Sequence, residues 1–311
     1  MENVSDSTSG GWLAFELSVI KRLKFASILF PFTYKPDLGN YLKHWGVKVL
    51  ANDPLSSVYM ESLARIGNNG VTLSENDVAL VLEDAYVPQY RLNNPALRNW
   101  FGETDSWWFD NVRANIERLS SPISRAVALS LGLKVGSYVF SFDEETRELR
   151  RPLSKVYERL WSLLDEPVNN GIDNQCSNVM ANNFTAENYP DLFFLKLPPV
   201  LRKSMKESLG KSAWREEWVH GNDGFWDDLE RSFGGRLGSP VQSKTQYLEL
   251  IQNLLETAGH IPLWAIEHVE DGFISTQDIV AVLNKVRRAV DTIFTKDFSE
   301  FTGTRAVIIT A

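Results

Sequence analysis

Short apolar runs separated by helical spacing mark the first part of the chain. Residues 25–30 form a continuous apolar run that ends at Pro31, as is typical of a strand buried on both faces. Residues 47–51 form a second, β-branched run, and the stretch between the two predicts a short helix. Such a unit pairs its strands in parallel, with a right-handed crossover. Ligands of these sheets lie beyond the carboxyl ends of the strands, where Asp53 follows the second run.

The middle of the chain is dominated by helical spacing, and few runs there look like strands. Ser74 followed by Asp77 resembles a helix capping box. The clearest helices are predicted at residues 111–119 and 122–133. We therefore interpret residues 71–171 as a mainly helical insertion. The remainder, residues 1–70 and 172–311, is expected to form one α/β domain.

Strand-like runs return in the last third of the chain. Residues 191–197 predict a strand that a proline pair ends. A helix is predicted at residues 276–290, with Ser275 or Thr276 as its cap. Residues 169–183 are rich in Asn and Gly and predict a connecting loop. Further strands are predicted at residues 263–266 and 306–310. The whole pattern predicts a Rossmann-like α/β sheet with helices on both faces.

Composition and charge narrow the class of protein. The 311 residues, of which 43% are hydrophobic, are ordinary for a globular fold. The single cysteine, Cys176, cannot form an intramolecular disulfide, which fits a reducing compartment. No apolar run approaches the roughly 20 residues that cross a bilayer, and the first residues lack the pattern of a secretory signal. We therefore expect a cytoplasmic protein with no membrane partner.

The charge pattern leaves one local candidate for nucleic-acid binding. A net charge of −8 argues against a surface that is basic overall. Arg147, Arg150 and Arg151 nevertheless form a basic run inside the predicted insertion. They are either a contact surface for DNA phosphates or part of a solvated helix face and loop, and the weak charge excess favours the second interpretation.

Four stretches resemble the Dam-like DNA adenine methyltransferases. Residues 30–34, Phe-Pro-Phe-Thr-Tyr, stand where that family has a strand and a Phe-x-Gly-x-Gly loop. Residues 52–53 resemble the Asn-Asp end of its second strand, and residues 182–184 stand where it has Asp-Phe. Residues 191–200 resemble its strand that ends Asp-Pro-Pro-Tyr. The resemblance spans most of the chain and implies an S-adenosylmethionine-dependent methyltransferase fold, with the helical insertion in the place of target recognition.

The resemblance assigns a cofactor site to Phe32, Asp53, Asn183 and Phe184. Asp53 would accept hydrogen bonds from ribose hydroxyls, or it caps the following helix. Asn183 would bond the adenine amino group and Phe184 would pack on its ring, or the Asn pair is part of a loop. Glycines let the family's backbone approach S-adenosylmethionine, but residues 32–38 contain none. We therefore expect S-adenosylmethionine to bind weakly or not at all.

The catalytic motif has lost its polar residues. The resemblance places Leu197, Pro198, Pro199 and Val200 at the Asp-Pro-Pro-Tyr positions. Transfer to an adenine amino group requires an acceptor for its hydrogens and an aromatic ring that stacks on the flipped base. Leu197 and Val200 supply neither, so no catalytic residue is assigned. The four histidines have no ligand spacing, and no metal site is expected.

Three functions follow from these observations. The leading interpretation is a methyltransferase-like protein that is catalytically inactive and keeps a DNA-binding or partner-binding surface. The second is an active DNA adenine methyltransferase with a non-standard site. The third is a structural subunit of a modification complex. Binding of S-adenosylmethionine separates the second from the other two.

Overall fold

A seven-stranded mixed sheet is the centre of the protein, which the computed structural model describes at residues 4–270, 272–299 and 304–311, with side chains from residue 11 onward. The strands are β1 (Ser27–Phe30), β2 (Lys48–Asn52), β3 (Gln175–Ser177), β4 (Leu192–Lys196), β5 (Leu263–Glu270), β6 (Thr292–Asp297) and β7 (Arg305–Thr310). Their order is β3-β2-β1-β4-β5-β7-β6. Strands β1 to β5 pair in parallel, whereas β7 is antiparallel to both β5 and β6.

Thirteen α-helices surround this sheet among the described residues. They are α1 (Val4–Ile20), α2 (Asp37–His44), α3 (Ser56–Arg65), α4 (Glu75–Val81), α5 (Glu103–Ile116), α6 (Pro122–Phe140), α7 (Leu153–Ser162), α8 (Ala181–Glu187), α9 (Met205–Leu209), α10 (Ala213–His220), α11 (Trp226–Phe233), α12 (Lys244–Thr257) and α13 (Thr276–Lys285).

Both faces of the sheet are buried along β1, β2 and β4, which explains why these strands are apolar at most positions. Along β1, Ile28 and Phe30 belong to a core cluster shared with α1 and α2, while Leu29 belongs to a cluster shared with α8, α12 and α13. Neighbouring side chains of a strand point to opposite faces, so a strand covered on both sides must be apolar at every position. This α/β layering confirms the predicted Rossmann-like fold class.

The predicted parallel pair is confirmed. Ser27 lies opposite Lys48, and Phe30 lies opposite Ala51, in a parallel register. Strand β4 pairs with the other edge of β1, also in parallel. The capping box predicted at Ser74 and Asp77 is present at the start of α4.

Several sequence-based boundaries are wrong. The predicted loop at residues 169–183 contains β3 and the start of α8, and the helix predicted at residues 276–290 ends at Lys285. Strand β6 was not predicted at all. Strand β3 has only three residues, and β6 is exposed along most of its length, so neither carries the apolar run by which a buried strand is found.

Between β2 and β3, a stretch that the structure describes throughout, the chain forms helices and no strand. Trp214 and Trp218 of α10 pack into the core of this helical region, so α10 contributes to it from beyond residue 171. A Cβ atom at Gly132 would lie 2.1 Å from the Trp218 ring, and one at Gly136 would lie 2.1 Å from the Trp214 ring. These glycines of α6 therefore admit two tryptophans that a side chain would displace. The boundary at residue 171 stays a prediction.

One helix among the described residues, α6, is long and apolar enough to cross a membrane, and 61% of its apolar window is buried in the protein. A buried core helix passes the same test of length and composition, so α6 is weak evidence for a membrane span.

Candidate binding crevice at the strand ends

A crevice opens where the connections from β1 and β4 leave the sheet. Strand β1 pairs with β2 along one edge and with β4 along the other, so the strand order changes direction at this point. Crevices at such switch points are the usual ligand sites of open α/β sheets. The cavity has a volume of about 460 Å³. It is lined by Trp12, Leu13, Glu16, Phe30, Phe32, Thr33, Tyr34, Lys35, Asp37, Leu38, Gly39, Phe194, Lys196, Leu197 and Pro199.

Asp53 lies beneath the loop from β1 to α2 and does not line the cavity. Its Oδ2 accepts hydrogen bonds from the backbone amides of Thr33 and Tyr34, both at 3.1 Å, and its Oδ1 accepts one from Leu55 at 3.0 Å. The residue is only 3% exposed. Burial raises the pKa of Asp53 to about 7, although the three amides oppose the rise. Its Oδ2 therefore holds the loop after β1, and its Oδ1 holds the turn before α3.

Neither sequence interpretation of Asp53 describes this arrangement fully. The helix-cap interpretation is wrong, because Asp53 bonds only the Leu55 amide before α3, whereas the first amides of the helix, at Ser56 and Ser57, donate to the Glu216 carboxylate. The neighbouring Asn52 is equally occupied, since its amide nitrogen donates to the carbonyl oxygens of Pro31 and Val179. The Asn-Asp pair thus joins the ends of β1, β2 and β3.

Tyr34 belongs to this loop and packs against the core cluster on the α12 side of the sheet. It has a φ of 53°, in the left-handed region that favours glycine. Its ring stacks on Phe32 with centroids 6.0 Å apart, and its hydroxyl is buried with no hydrogen-bond partner among the described residues. Burial, and then the nearby charge of Asp53, raises the pKa of Tyr34 well above its ordinary value. A bulky side chain therefore stands where the backbone conformation would suit glycine.

Only one of the other proposed cofactor residues reaches the crevice. Phe32 lines it. Phe184 is 3% exposed and packs in the core cluster on the α12 side of the sheet. Asn183 lies on the exposed side of α8, so its interpretation as part of a loop is wrong. The structure does not bring Phe32, Asp53, Asn183 and Phe184 together around one open space.

The residues at the catalytic-motif positions follow β4 and reach the crevice in part. Leu197 and Pro199 line the cavity. The carbonyl oxygen of Pro198 accepts a hydrogen bond from the Tyr247 hydroxyl at 2.5 Å. Val200 is half-buried against the neighbouring core cluster. This edge of the crevice therefore presents hydrocarbon to a ligand.

A buried cluster of charges on the α1 side of the crevice was not predicted. Lys196 and Glu267 are direct neighbours in the register of β4 and β5. The Lys196 Nζ lies 2.9 Å from Glu16 Oε1 and 2.9 Å from Glu267 Oε1. The Trp12 indole nitrogen donates to the same Glu267 oxygen. We call Trp12, Glu16, Lys196 and Glu267 the Glu-Lys-Glu cluster.

The two carboxylates of this cluster pair with a single ammonium group, and both are almost fully buried. Glu16 is 5% exposed and Glu267 is 1% exposed. Burial, and then the negative charge of Glu267, raises the pKa of Glu16 to about 8, while Lys196 opposes the rise. Glu267 Oε2 has no hydrogen-bond partner among the described residues. A proton held by Glu16 at neutral pH removes the repulsion between the two carboxylates. The signal in the sequence was a charged residue on the apolar side of a helix.

This arrangement predicts that stability falls as pH rises. Between the ordinary pKa of 4.5 and about 8, the folded chain holds a Glu16 proton that the unfolded chain releases. We expect Glu16 to lower the free energy of unfolding by about 3 kcal/mol between pH 5 and pH 8, since one pKa unit corresponds to about 1.4 kcal/mol. Glu16→Gln mimics the protonated carboxyl at every pH, so it should match the wild type at pH 5 and be more stable at pH 8.

Urea unfolding at pH 5, 6.5 and 8 measures this difference. Glu249→Gln, at an exposed position of α12, is the matched control and should keep the wild-type slope. Asp53 has a pKa raised in the same direction and should leave a residual slope in both variants. An unchanged slope in Glu16→Gln would show that Glu16 does not hold the proton.

The basic run of the insertion is only partly on the surface. Arg150 pairs with Asp105 at 2.9 Å, and its side chain is 14% exposed. Arg147 and Arg151 are exposed, but exposed acidic residues surround them: Asp143, Glu144, Glu145 and Glu148. The arrangement does not form a continuous basic surface. DNA binding through this run stays a prediction.

The described residues contain no group of three or more His, Cys, Asp or Glu side chains that could hold a metal ion. The fold and the crevice define a Rossmann-like α/β protein with a ligand-sized cavity at its switch point. No protein-family profile matches the chain, and no curated protein matches it in sequence.

Proposed function

We propose that the chain is a methyltransferase-like protein that resembles DNA adenine methyltransferases, has lost methyl transfer, and acts by binding. The proposal is carried by one observation, made on the side of the crevice where the cofactor would bind. Tyr34 has its hydroxyl buried near the Asp53 charge, and both Asp53 oxygens accept hydrogen bonds from backbone amides.

The arrangement of the sheet supports the methyltransferase-like part of this proposal. Its order places the antiparallel β7 between β5 and β6, on an otherwise parallel sheet. S-adenosylmethionine-dependent methyltransferases of the Rossmann-like class have this arrangement. The nucleotide-binding sheet with order 3-2-1-4-5-6 lacks the inserted antiparallel strand. The positions of the crevice and of the β4 exit are also those that the resemblance requires.

The loop after β1 supports the loss of the cofactor. Counted in register from Phe30, the resemblance puts Phe32 and Tyr34 at the positions of the two glycines. Tyr34 has a left-handed backbone conformation, where a residue other than glycine costs about 1 kcal/mol. A glycine there would remove the tyrosine ring, which stacks on Phe32 and lines the cavity.

We expect S-adenosylmethionine to bind with a Kd above about 1 mM, a binding free energy weaker than about −4 kcal/mol. The ribose has no open carboxylate to bond, because Asp53 is only 3% exposed, does not line the cavity and already accepts three amide hydrogen bonds. Isothermal titration calorimetry of the purified chain with S-adenosylmethionine measures this affinity.

A matched variant tests the cause. Tyr34→Gly keeps the positive φ without strain and removes the ring, so it should bind S-adenosylmethionine more tightly than the wild type does. Micromolar binding by the wild type, weakened by Asp53→Ala, would instead support an active methyltransferase with a non-standard site.

A further inference from the structure

The cavity at the switch point is enclosed mainly by rings and aliphatic side chains. Its volume of about 460 Å³ is in the range of small-molecule sites, about 300–1,000 Å³. Five aromatic residues line it. They are Trp12 of α1, Phe30 at the end of β1, Phe32 and Tyr34 in the loop after β1, and Phe194 of β4. A flat, apolar body fits such walls because it buries its faces against them.

The polar groups of the cavity are unevenly distributed. The Asp37 carboxylate pairs with Arg65, and Lys35 stands at the exposed mouth. The buried charge is concentrated in the Glu-Lys-Glu cluster, where two carboxylates meet one ammonium group. Glu267 Oε2, in a residue 1% exposed, has no hydrogen-bond partner among the described residues. The cluster therefore has one more carboxylate than it has cations.

The cation of this cluster is not available to an anionic ligand. The Lys196 ammonium contacts both carboxylates at 2.9 Å and lies 5.4 Å from the centre of the Trp12 ring. An anion would have to compete with two carboxylates for it, and would meet their repulsion. A cation is attracted once Glu16 is ionised, above its pKa of about 8, because Glu16 lines the cavity and the Lys196 ammonium then faces two carboxylates.

We propose that this crevice binds a small molecule in which a protonated amine or amidine is carried on a flat, apolar body. The positive nitrogen donates hydrogen bonds to Glu16, and the apolar body lies between the aromatic residues of α1, β1 and β4. The inference rests on the proposed function, because it takes the crevice to be without S-adenosylmethionine. It adds the chemical class of the ligand.

The test compares three probes of similar shape: benzamidine as the cation, benzoate as the anion and benzyl alcohol as the neutral molecule. Calorimetry and NMR titrations at about pH 8.5, where Glu16 is ionised, should give a benzamidine Kd of about 1 mM or below. Benzoate and benzyl alcohol should bind at least tenfold more weakly. The indole nitrogen resonance of Trp12, assigned with Trp12→Phe, should shift on addition of benzamidine.

Glu16→Gln should weaken benzamidine binding at least tenfold, and its unfolding curve shows whether it is folded. Glu249→Gln, outside the crevice, should bind as the wild type does. Equal or tighter binding of benzoate, unchanged affinity in Glu16→Gln, or no benzamidine binding would each overturn the inference. A chain that binds neither benzamidine nor S-adenosylmethionine rejects the inference and keeps the proposed function. Micromolar binding of S-adenosylmethionine would reject the proposed function. The ligand class is decided by the benzamidine titration alone.

Discussion

Glu217→Ala should lower the free energy of unfolding by about 2–6 kcal/mol, because two indole N–H groups lose their shared acceptor at about 1–3 kcal/mol each. Glu217 is fully buried on α10. Its Oε2 accepts a hydrogen bond from the Trp100 indole at 2.6 Å. Its Oε1 accepts one from the Trp226 indole at 2.9 Å and lies 2.7 Å from Lys206 Nζ. One carboxylate therefore joins three separate segments.

The loss comes mainly from the two indoles. Each buried N–H left without an acceptor costs about 1–3 kcal/mol. The Lys206 side chain is 39% exposed, so its ammonium can turn to water and adds less. Alanine also removes side-chain atoms from a filled core, which adds a cavity cost.

Urea unfolding measures the effect, with Glu249→Ala as the exposed control that should change stability by less than about 0.5 kcal/mol. Glu217→Gln keeps one carbonyl acceptor, so its loss should be intermediate. If Glu217→Ala and Glu249→Ala unfold at the same urea concentration, the carboxylate does not hold the three segments together.

The purified chain should not methylate adenine in DNA, and the deficit should include the chemical step. Leu197 presents hydrocarbon where the resemblance calls for an acceptor, so the target amino group would be buried unpaired, at a cost of about 1–3 kcal/mol. The missing stabilisation of charge developing on nitrogen adds about 3–4 kcal/mol, by analogy with the loss of a single oxyanion-hole donor. Together these reach about 4–7 kcal/mol, or about three to five decades in rate.

Val200 adds a further loss. A base held out of the stack gains about 1–3 kcal/mol from an aromatic platform, and an isopropyl group supplies little of it. Val200 is also half-buried against the core, so it is not placed to cover a base.

Transfer of labelled methyl groups from S-adenosylmethionine to duplex and single-stranded DNA measures the activity. A heat-denatured sample gives the background, and the wild type should not exceed it. The double variant Leu197→Asp with Val200→Tyr restores the motif residues but leaves Tyr34 in place, and it should stay at background too. Incorporation by the wild type that Asp53→Ala abolishes would contradict the prediction and favour the active-enzyme alternative.

Features that depend on neighbouring residues could be predicted from the amino-acid sequence. The apolar runs and their proline stops located β1, β2 and β4, because a strand buried on both faces must be apolar throughout. The capping box at Ser74 was visible because its partners lie within three residues, and the cap offered at Ser275 or Thr276 is Ser275 in the structure. Strands β3 and β6 were not predicted, since β3 is very short and β6 is exposed.

The positions and partners of the site residues depend on the tertiary structure. Phe184 could be assigned to a pocket from the sequence, but the packing of α8 puts it in the core. The carboxylate of Asp53 was visible, whereas its three amide donors come from two different loops.

The Glu-Lys-Glu cluster shows most clearly why contacts between distant residues could not be predicted from the sequence. Glu16 and Lys196 are 180 residues apart, and Lys196 meets Glu267 only because β4 and β5 pair in one particular register. The same holds for Gly132 and Trp218, whose close approach depends on how α6 and α10 pack. Local sequence fixes propensity and burial pattern, but contacts between distant residues depend on strand order, register and helix packing, which no single stretch of the chain encodes.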